Sequence, residues 1–211
     1  MKLKPNYWVL AYALSAFVMS LVAVVYSPWQ VPIHWNMQGE IDGYGPKYIY
    51  LIFGCLGFLG YFLMDFIRKI DPNSRKIEKN LPAYVAIRNI ISVLLSTITL
   101  MSIASVLIKE VNVSQLMVTV MGVFMVVIGN ITPRIPHNYF SGVKTPWALN
   151  DETNWKKTQR MGGYAFVCAG FLMIIAGIIN AIWMMAIAFS FLMISMIGVY
   201  IYSWYIYKKS I

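Results

Sequence analysis

Side chains able to do chemistry are concentrated in two polar segments, residues 28–47 and 129–163. In the first segment, His34, Glu40 and Asp42 are of the types that bind metal ions. Their spacing is poor for a metal site, and no second histidine or cysteine lies nearby. We therefore expect no metal and no cofactor here, and His34 to be a solvent-facing or hydrogen-bonded side chain.

The second polar segment offers one acid–base combination, His137 with Asp151 or Glu152. Nucleophilic catalysis needs a base held beside a nucleophile and an orienting carboxylate. Nothing in the spacing of these residues requires such an arrangement. We therefore expect no enzymatic activity, although catalysis at His137 stays open as an alternative.

Long apolar runs must position the two polar segments. The chain is 59% apolar and only 12% charged, whereas about a quarter of the residues of a soluble domain are charged. Five intervals lack Asp, Glu, Lys and Arg: 5–39, 48–64, 89–108, 111–133 and 161–207. Because a helix crosses a bilayer with about 20 residues, and the last interval holds two crossings, we predict an all-α polytopic membrane protein with six spans.

The positions of the basic residues predict which side of the membrane each connector faces. With both termini in the cytoplasm, fifteen Lys and Arg side chains face inward, and only Lys47 and Lys109 face outward. This asymmetry follows the positive-inside rule and predicts a multi-pass protein of the cell membrane. The net charge of +9 is thereby explained without nucleic-acid binding, which would need a basic face on one folded surface.

The spans and connectors have predicted bounds. The spans are 7–26, 48–66, 89–108 and 113–129, followed by two within 161–207 that turn near 177–183. We divide the chain into 1–88, with two spans and a basic connector, and 89–211, with four spans and the cytoplasmic segment 130–162. Prolines and glycines predict tight turns in 28–47, and the connector 68–88 is either a solvated loop or a segment attracted to anionic lipid headgroups.

Finer predictions concern capping and packing. We expect Asn150 to cap a short helix on the inner membrane surface that ends at Gly162 and Gly163. Glycines at 54, 57 and 60, and at 163, 170 and 177, predict close helix packing. Asp65 is expected to pair with Arg68 or Lys69 one turn later.

The second polar segment resembles the signature of the SdpI family, bacterial immunity proteins for a sporulation-delaying toxin. The matching residues are Gly129, Asn130, Pro133, Asn138, Tyr139, Gly142, Lys144, Thr145, Pro146, Trp147, Leu149, Trp155, Lys157, Thr158, Arg160 and Gly163. The first polar segment resembles a domain of unknown function that often precedes this signature. Three positions depart from the pattern, with Lys144 for arginine, Ala148 for threonine and Gln159 for histidine.

The resemblance implies an integral membrane immunity and signalling protein, whose partners are lipid, a secreted toxin and a cytoplasmic repressor. It implies a partner-binding set in the cytoplasmic segment: Asn130, Pro133, Asn138, Gly142, Lys144, Thr145, Pro146, Trp147, Leu149, Trp155, Thr158 and Arg160. It implies a toxin-facing set in the outward segment: Pro32, His34, Trp35, Gly39, Asp42, Gly43 and Lys47. A small transporter or channel is the alternative, although spans three to six carry no ionisable residue of the kind that coupled transporters use.

Overall fold

The computed structural model describes residues 4–36, 40–108 and 113–210. Six of its helices are long and apolar enough to cross a membrane. They are α1 (Tyr7–Tyr26), α2 (Ile49–Ile70), α4 (Leu81–Leu107), α5 (Val113–Ile131), α7 (Glu152–Ile179) and α8 (Ile182–Ser210). The predicted all-α membrane fold is confirmed, and the chain is a multi-pass membrane protein.

Two compact units divide the chain. The first unit comprises Met1–Asp65 and Arg88–Thr119, and the second comprises Phe66–Ile87 and Val120–Ile211. The second unit therefore contains residues 68–87 of the basic connector and the polar segment between α5 and α7, which together form the candidate site.

In the first unit, the glycines of α2 allow close packing, as predicted. A side chain at Gly54 would collide with Ser20 of α1, and one at Gly57 would collide with Ser96 of α4. The Ser92 hydroxyl of α4 donates a hydrogen bond of 2.8 Å to the Gly57 carbonyl. Lipid tails are as apolar as the helices, so the hydrophobic effect does not drive helices together in a membrane. Close packing of small residues and hydrogen bonds from hydroxyl groups hold them together instead.

The prediction that Asp65 pairs with Arg68 or Lys69 was wrong. Arg88 of α4 donates to the Asp65 carboxylate at 3.0 Å, and its guanidinium lies 4.1 Å from the centre of the Tyr61 ring. Arg88 is 1% exposed, so the carboxylate neutralises a buried charge on a neighbouring helix. A partner one turn along α2 would have left that charge unpaired.

The segment after α1 is a β-hairpin and not the predicted chain of turns. Strands β1 (Gln30–Trp35) and β2 (Ile41–Pro46) pair antiparallel, with register irregularities around His34. Prolines and glycines are accommodated because a two-stranded ribbon consists of edges. Val31 is fully buried with Ala23, Tyr50 and Ile103, and this contact anchors the hairpin on its unit.

In the second unit, α5 and α7 approach closely through glycine pairs. A side chain at Gly163 would collide with the Gly129 carbonyl, and one at Gly170 with the Gly122 carbonyl. The close packing predicted for Gly163 and Gly170 is confirmed. The turn predicted near 177–183 is also confirmed, because Asn180 ends α7 in the left-handed conformation with φ of 55°.

Two predictions about the polar connectors were wrong. The connector holds a short helix, α3 (Ser74–Lys79), and α4 already begins at Leu81 with Pro82 in its first turn, where a missing N–H costs nothing. The helix expected to stop at Gly162 and Gly163 instead continues to Ile179 as α7. Its cap is Asp151, not Asn150. Gly162 packs against Val143 and Gly163 against α5, and neither ends the helix.

Candidate functional site

The segment between α5 and α7 is folded around Asn138, whose side chain is fully buried. Its Oδ1 accepts from the N–H groups of Phe140 and Ser141 at 2.9 and 2.6 Å. Its Nδ2 donates to the carbonyls of Pro136 and Ser141 at 2.7 and 3.1 Å. A single amide thus closes a tight loop without regular secondary structure, as asparagine commonly does in turns.

A second amide, that of Gln159, fixes the strand-like stretch after this loop. Its Oε1 accepts from the Val143 N–H at 2.9 Å, and its Nε2 donates to the Val143 carbonyl at 2.7 Å. Gly142 lies beside it with φ of 100°, and a side chain at Gly142 would collide with the Gln159 amide. Gly142 is therefore needed for both its conformation and its size.

Trp155 forms the floor of the site. It is 1% exposed, and its indole N–H donates to the Ile135 carbonyl at 3.0 Å. The ring of His137 lies against it, with ring centres 5.0 Å apart. Burying a tryptophan with its N–H paired gives a rigid apolar base on which polar groups can be held.

His137 is held as the neutral imidazole. Its Nε2 lies 3.0 Å from the Leu149 carbonyl, and its Nδ1 lies 3.2 Å from Nζ of Lys76. A carbonyl can only accept and an ammonium can only donate, so Nε2 carries the proton and Nδ1 does not. Burial lowers the pKa of His137, and the positive charge of Lys76 lowers it further.

The short helix α6 (Pro146–Asn150) presents the Lys-Thr-Pro-Trp motif. Thr145 caps it, accepting from the Ala148 N–H at 3.0 Å, and contacts the Ser203 hydroxyl of α8 at 2.6 Å. Ser203 donates to Asn154 at 2.8 Å, and Thr158 donates to the same oxygen at 2.9 Å. This buried network ties α6, α7 and α8 together.

Three of the four motif side chains are at least partly accessible: Lys144, Pro146 and Trp147. Lys144 is exposed, and its Nζ donates to the Phe140 carbonyl at 3.4 Å. Trp147 is half-buried between Tyr200 and Tyr207 of α8, with ring centres at 5.1 and 6.4 Å. The network below therefore presents a cation and an aromatic ring at the surface.

The connector completes the site through contacts that the sequence did not predict. Asp71 is 3% exposed and accepts from the Tyr139 N–H at 2.9 Å. Lys76 of α3 lies 3.1 Å from Glu152, besides its contact with His137. Asn80 donates to the Arg134 carbonyl at 2.6 Å. No local pattern indicated these contacts, since each joins residues more than 50 positions apart.

These elements enclose a cleft of about 410 Å³. Its basic lining comes from α3, from the short 3-10 turn Thr132–Arg134 and from the first turns of α7. The charged lining residues are Lys76, Lys79, Arg134, Glu152, Lys156 and Arg160.

The twelve residues predicted to bind a cytoplasmic partner are placed differently from one another. Four are buried and hold the segment's shape: Asn138, Thr145, Trp155 and Thr158. Two are half-buried, Trp147 and Leu149. The exposed ones are Asn130, Pro133, Gly142, Lys144, Pro146 and Arg160.

The residues predicted to face a toxin lie on the hairpin, except Gly39, which lies outside the described residues. His34 and Asp42 are exposed and form a hydrogen bond of 2.5 Å across the strands. Gly43 lies against the β-carbon of His34, Pro32 is buried, and Trp35 and Lys47 are half-buried. In the described part of the chain, no three His, Cys, Asp or Glu side chains are grouped to hold a metal.

Comparison with known proteins agrees with the resemblance. Residues 134–203 match the SdpI/YfhL protein family, and residues 11–59 match a domain of unknown function, DUF1648. The chain is 26% identical over 196 residues to the immunity protein SdpI of Bacillus subtilis strain 168, covering 92% of this chain and 91% of that protein. No solved structure matches the chain. The resemblance inferred from the motif is confirmed.

Proposed function

We propose that the chain is a membrane immunity protein that protects its cell from a secreted toxin, because residues 134–203 match the SdpI/YfhL protein family. The observation that carries this proposal is the likeness to an immunity protein over 92% of the chain. A likeness of that extent reaches well beyond the signature segment. We propose no catalytic role.

The proposed orientation places both termini in the cytoplasm and the hairpin outside. The positive-inside rule supports it, since the basic connector and the segment with Arg134, Lys156 and Arg160 then face inward. The proposed toxin contact is the hairpin, where Trp29, Tyr44 and other large apolar side chains are exposed. Rigid aromatic side chains at a strand edge suit recognition of a peptide or a small protein.

The test is a toxin challenge. Susceptible cells carrying the chain, or an empty vector, would be exposed to a sporulation-delaying toxin, and survivors counted. We expect protection by the chain and its reduction by Trp29→Ala with Tyr44→Ala. Trp183→Ala, in an exposed tryptophan of α8, is the control. Equal killing with and without the chain would refute protection against this toxin.

We further propose that the segment between α5 and α7 recruits a cytoplasmic repressor through Lys144, Trp147 and Arg160. Support comes from its construction, in which buried amides and Trp155 fix the backbone while Lys144 and Arg160 stay exposed. A surface of fixed shape loses little entropy on binding.

Recruitment is tested separately, by imaging whether a labelled repressor, encoded beside the gene, is located at the membrane. Lys144→Ala, Trp147→Ala and Arg160→Ala should release the repressor from the membrane while the protein still inserts. Lys157→Ala, an exposed lysine of α7 outside the cleft lining, is the matched control. Normal recruitment by all three variants would remove this segment from the partner scheme.

A further inference from the structure

We infer that the cleft beside His137 binds a phosphate-bearing anion, either the headgroup of an anionic phospholipid or a soluble phosphate. This inference does not depend on the proposed immunity function. It rests on the charge, the construction and the size of the cleft.

The cleft has an excess of positive charge. It gathers five cationic side chains and one carboxylate, and His137 beside them is neutral. The carboxylate, Glu152, is already shared by Lys76 at 3.1 Å and Lys156 at 3.5 Å. Among the residues that the structure describes, Lys79, Arg134 and Arg160 form no ion pair with a carboxylate. Positive charges gathered in a partly enclosed cleft raise the local concentration of anions.

The cleft is also built before any ligand arrives. Asn80 fixes the backbone of Arg134 through a 2.6 Å hydrogen bond, and Lys76 joins α3 to His137 and Glu152. Trp155 closes the floor from below. Two arginines on separate rigid elements can each present a fork of N–H donors, the geometry that suits phosphate oxygens.

Size and position favour a small anion over a macromolecule. A volume of about 410 Å³ is at the lower end of small-ligand sites and is too small for a docked helix about 10 Å wide. The cleft lies between the end of α5 at Ile131 and the first turns of α7, the ends of two membrane-spanning helices. In the proposed orientation these helix ends face the cytoplasm, where both the phosphates of lipid headgroups and soluble phosphates can reach the cleft.

The experiment uses the full chain purified in a neutral detergent, with two probes. Native mass spectrometry measures retention of phosphatidylglycerol against phosphatidylcholine, and thermal unfolding measures stabilisation by inorganic phosphate against chloride at equal ionic strength. We expect Arg134→Gln with Arg160→Gln to weaken binding at least about tenfold, a change of about 1.4 kcal/mol. Lys69→Gln with Arg75→Gln, which removes two exposed charges of the connector outside the cleft, should bind like the wild type.

The two probes distinguish a lipid headgroup from a soluble phosphate. Retention of phosphatidylglycerol alone identifies a lipid site, and stabilisation by inorganic phosphate alone identifies a soluble ligand; either supports the inference. If the glutamine pair does not fold, Arg134→Lys with Arg160→Lys decides, with several-fold weaker binding expected because lysine lacks the fork. Binding of both probes by the wild type that is lost in the cleft variant also supports the inference. Binding that is unchanged in the cleft variant, or binding of neither probe, would overturn it.

Discussion

The Gln159 amide binds both backbone groups of Val143, accepting from its N–H at 2.9 Å and donating to its carbonyl at 2.7 Å. Gln159 is fully buried on α7, whereas Val143 lies in the irregular segment before α6. Two complementary bonds from one amide substitute for the strand pairing that the segment lacks. The shape of the proposed docking surface therefore depends on a residue that is not itself exposed.

Replacing Gln159 should loosen this segment. Gln159→Ala leaves the N–H and the carbonyl of Val143 unpaired, which we expect to cost about 2–3 kcal/mol of unfolding free energy. Thermal unfolding of the purified protein measures the loss, and limited proteolysis shows whether cleavage begins near Val143. Lys157→Ala, two residues earlier on an exposed side of α7, should leave both readouts unchanged. A variant at Gln159 as stable as the wild type would mean that the other contacts of the segment hold it without the Gln159 amide.

The glycine pairs of α5 and α7 give a second prediction. Gly163→Ala or Gly170→Ala places a methyl group against a backbone carbonyl of α5, and we expect a loss of about 1–3 kcal/mol from overpacking. The matched control is Gly198→Ala in α8, where a side chain would meet nothing within 4 Å. That substitution should stabilise the helix by about 0.5–1 kcal/mol. The melting temperatures of the three variants in one detergent would compare them directly, and equal effects at all three glycines would contradict close packing.

Features set by composition or short spacing could be predicted from the sequence. The six spans could be predicted from the charge-free intervals, because charged side chains are excluded from the hydrocarbon core and its thickness fixes the length of a crossing helix. Glycines at 163 and 170 predicted close packing, since seven residues return a helix to nearly the same side. The turn near 177–183 was predicted because a run of 47 residues without charge is long enough for two spans and must fold back once.

Features set by contacts between distant segments could not be predicted. The hairpin was missed because its prolines and glycines indicate turns unless the pairing of the two strands is known. The stop expected at Gly162 was wrong because packing against Val143 and α5 outweighs the low helix propensity of glycine. The cleft depends on Lys76 meeting His137 across 61 positions, and no periodicity indicates such a contact.

The Arg88–Asp65 pair gives a third prediction, about the first unit. Arg88 is buried, so Asp65→Ala leaves its charge without a counterion and should cost about 3–5 kcal/mol. Asp65→Leu with Arg88→Leu removes both charges and should cost much less. The surface pair of Glu152 and Lys156 is the comparison, and Lys156→Gln should cost less than about 1 kcal/mol. Thermal unfolding of Asp65→Leu, Arg88→Leu and the double variant gives the coupling energy, and additive losses at positions 65 and 88 would contradict a direct pair.

The fourth prediction concerns pH. Burial and the charge of Lys76 hold the pKa of His137 below its ordinary value, which is about 6.5 in an unfolded chain. The unfolded state therefore binds the proton more readily, and the stability that neutral His137 contributes is complete above about pH 6.5 and is lost as the pH falls through the lower folded pKa. We expect the melting temperature of the wild type to fall between about pH 7 and pH 5, and His137→Gln to be less stable at pH 7 but less sensitive across this window. His34→Gln, which replaces the histidine of the hairpin, is measured in parallel for comparison. A pH dependence unchanged by His137→Gln would show that another group causes it.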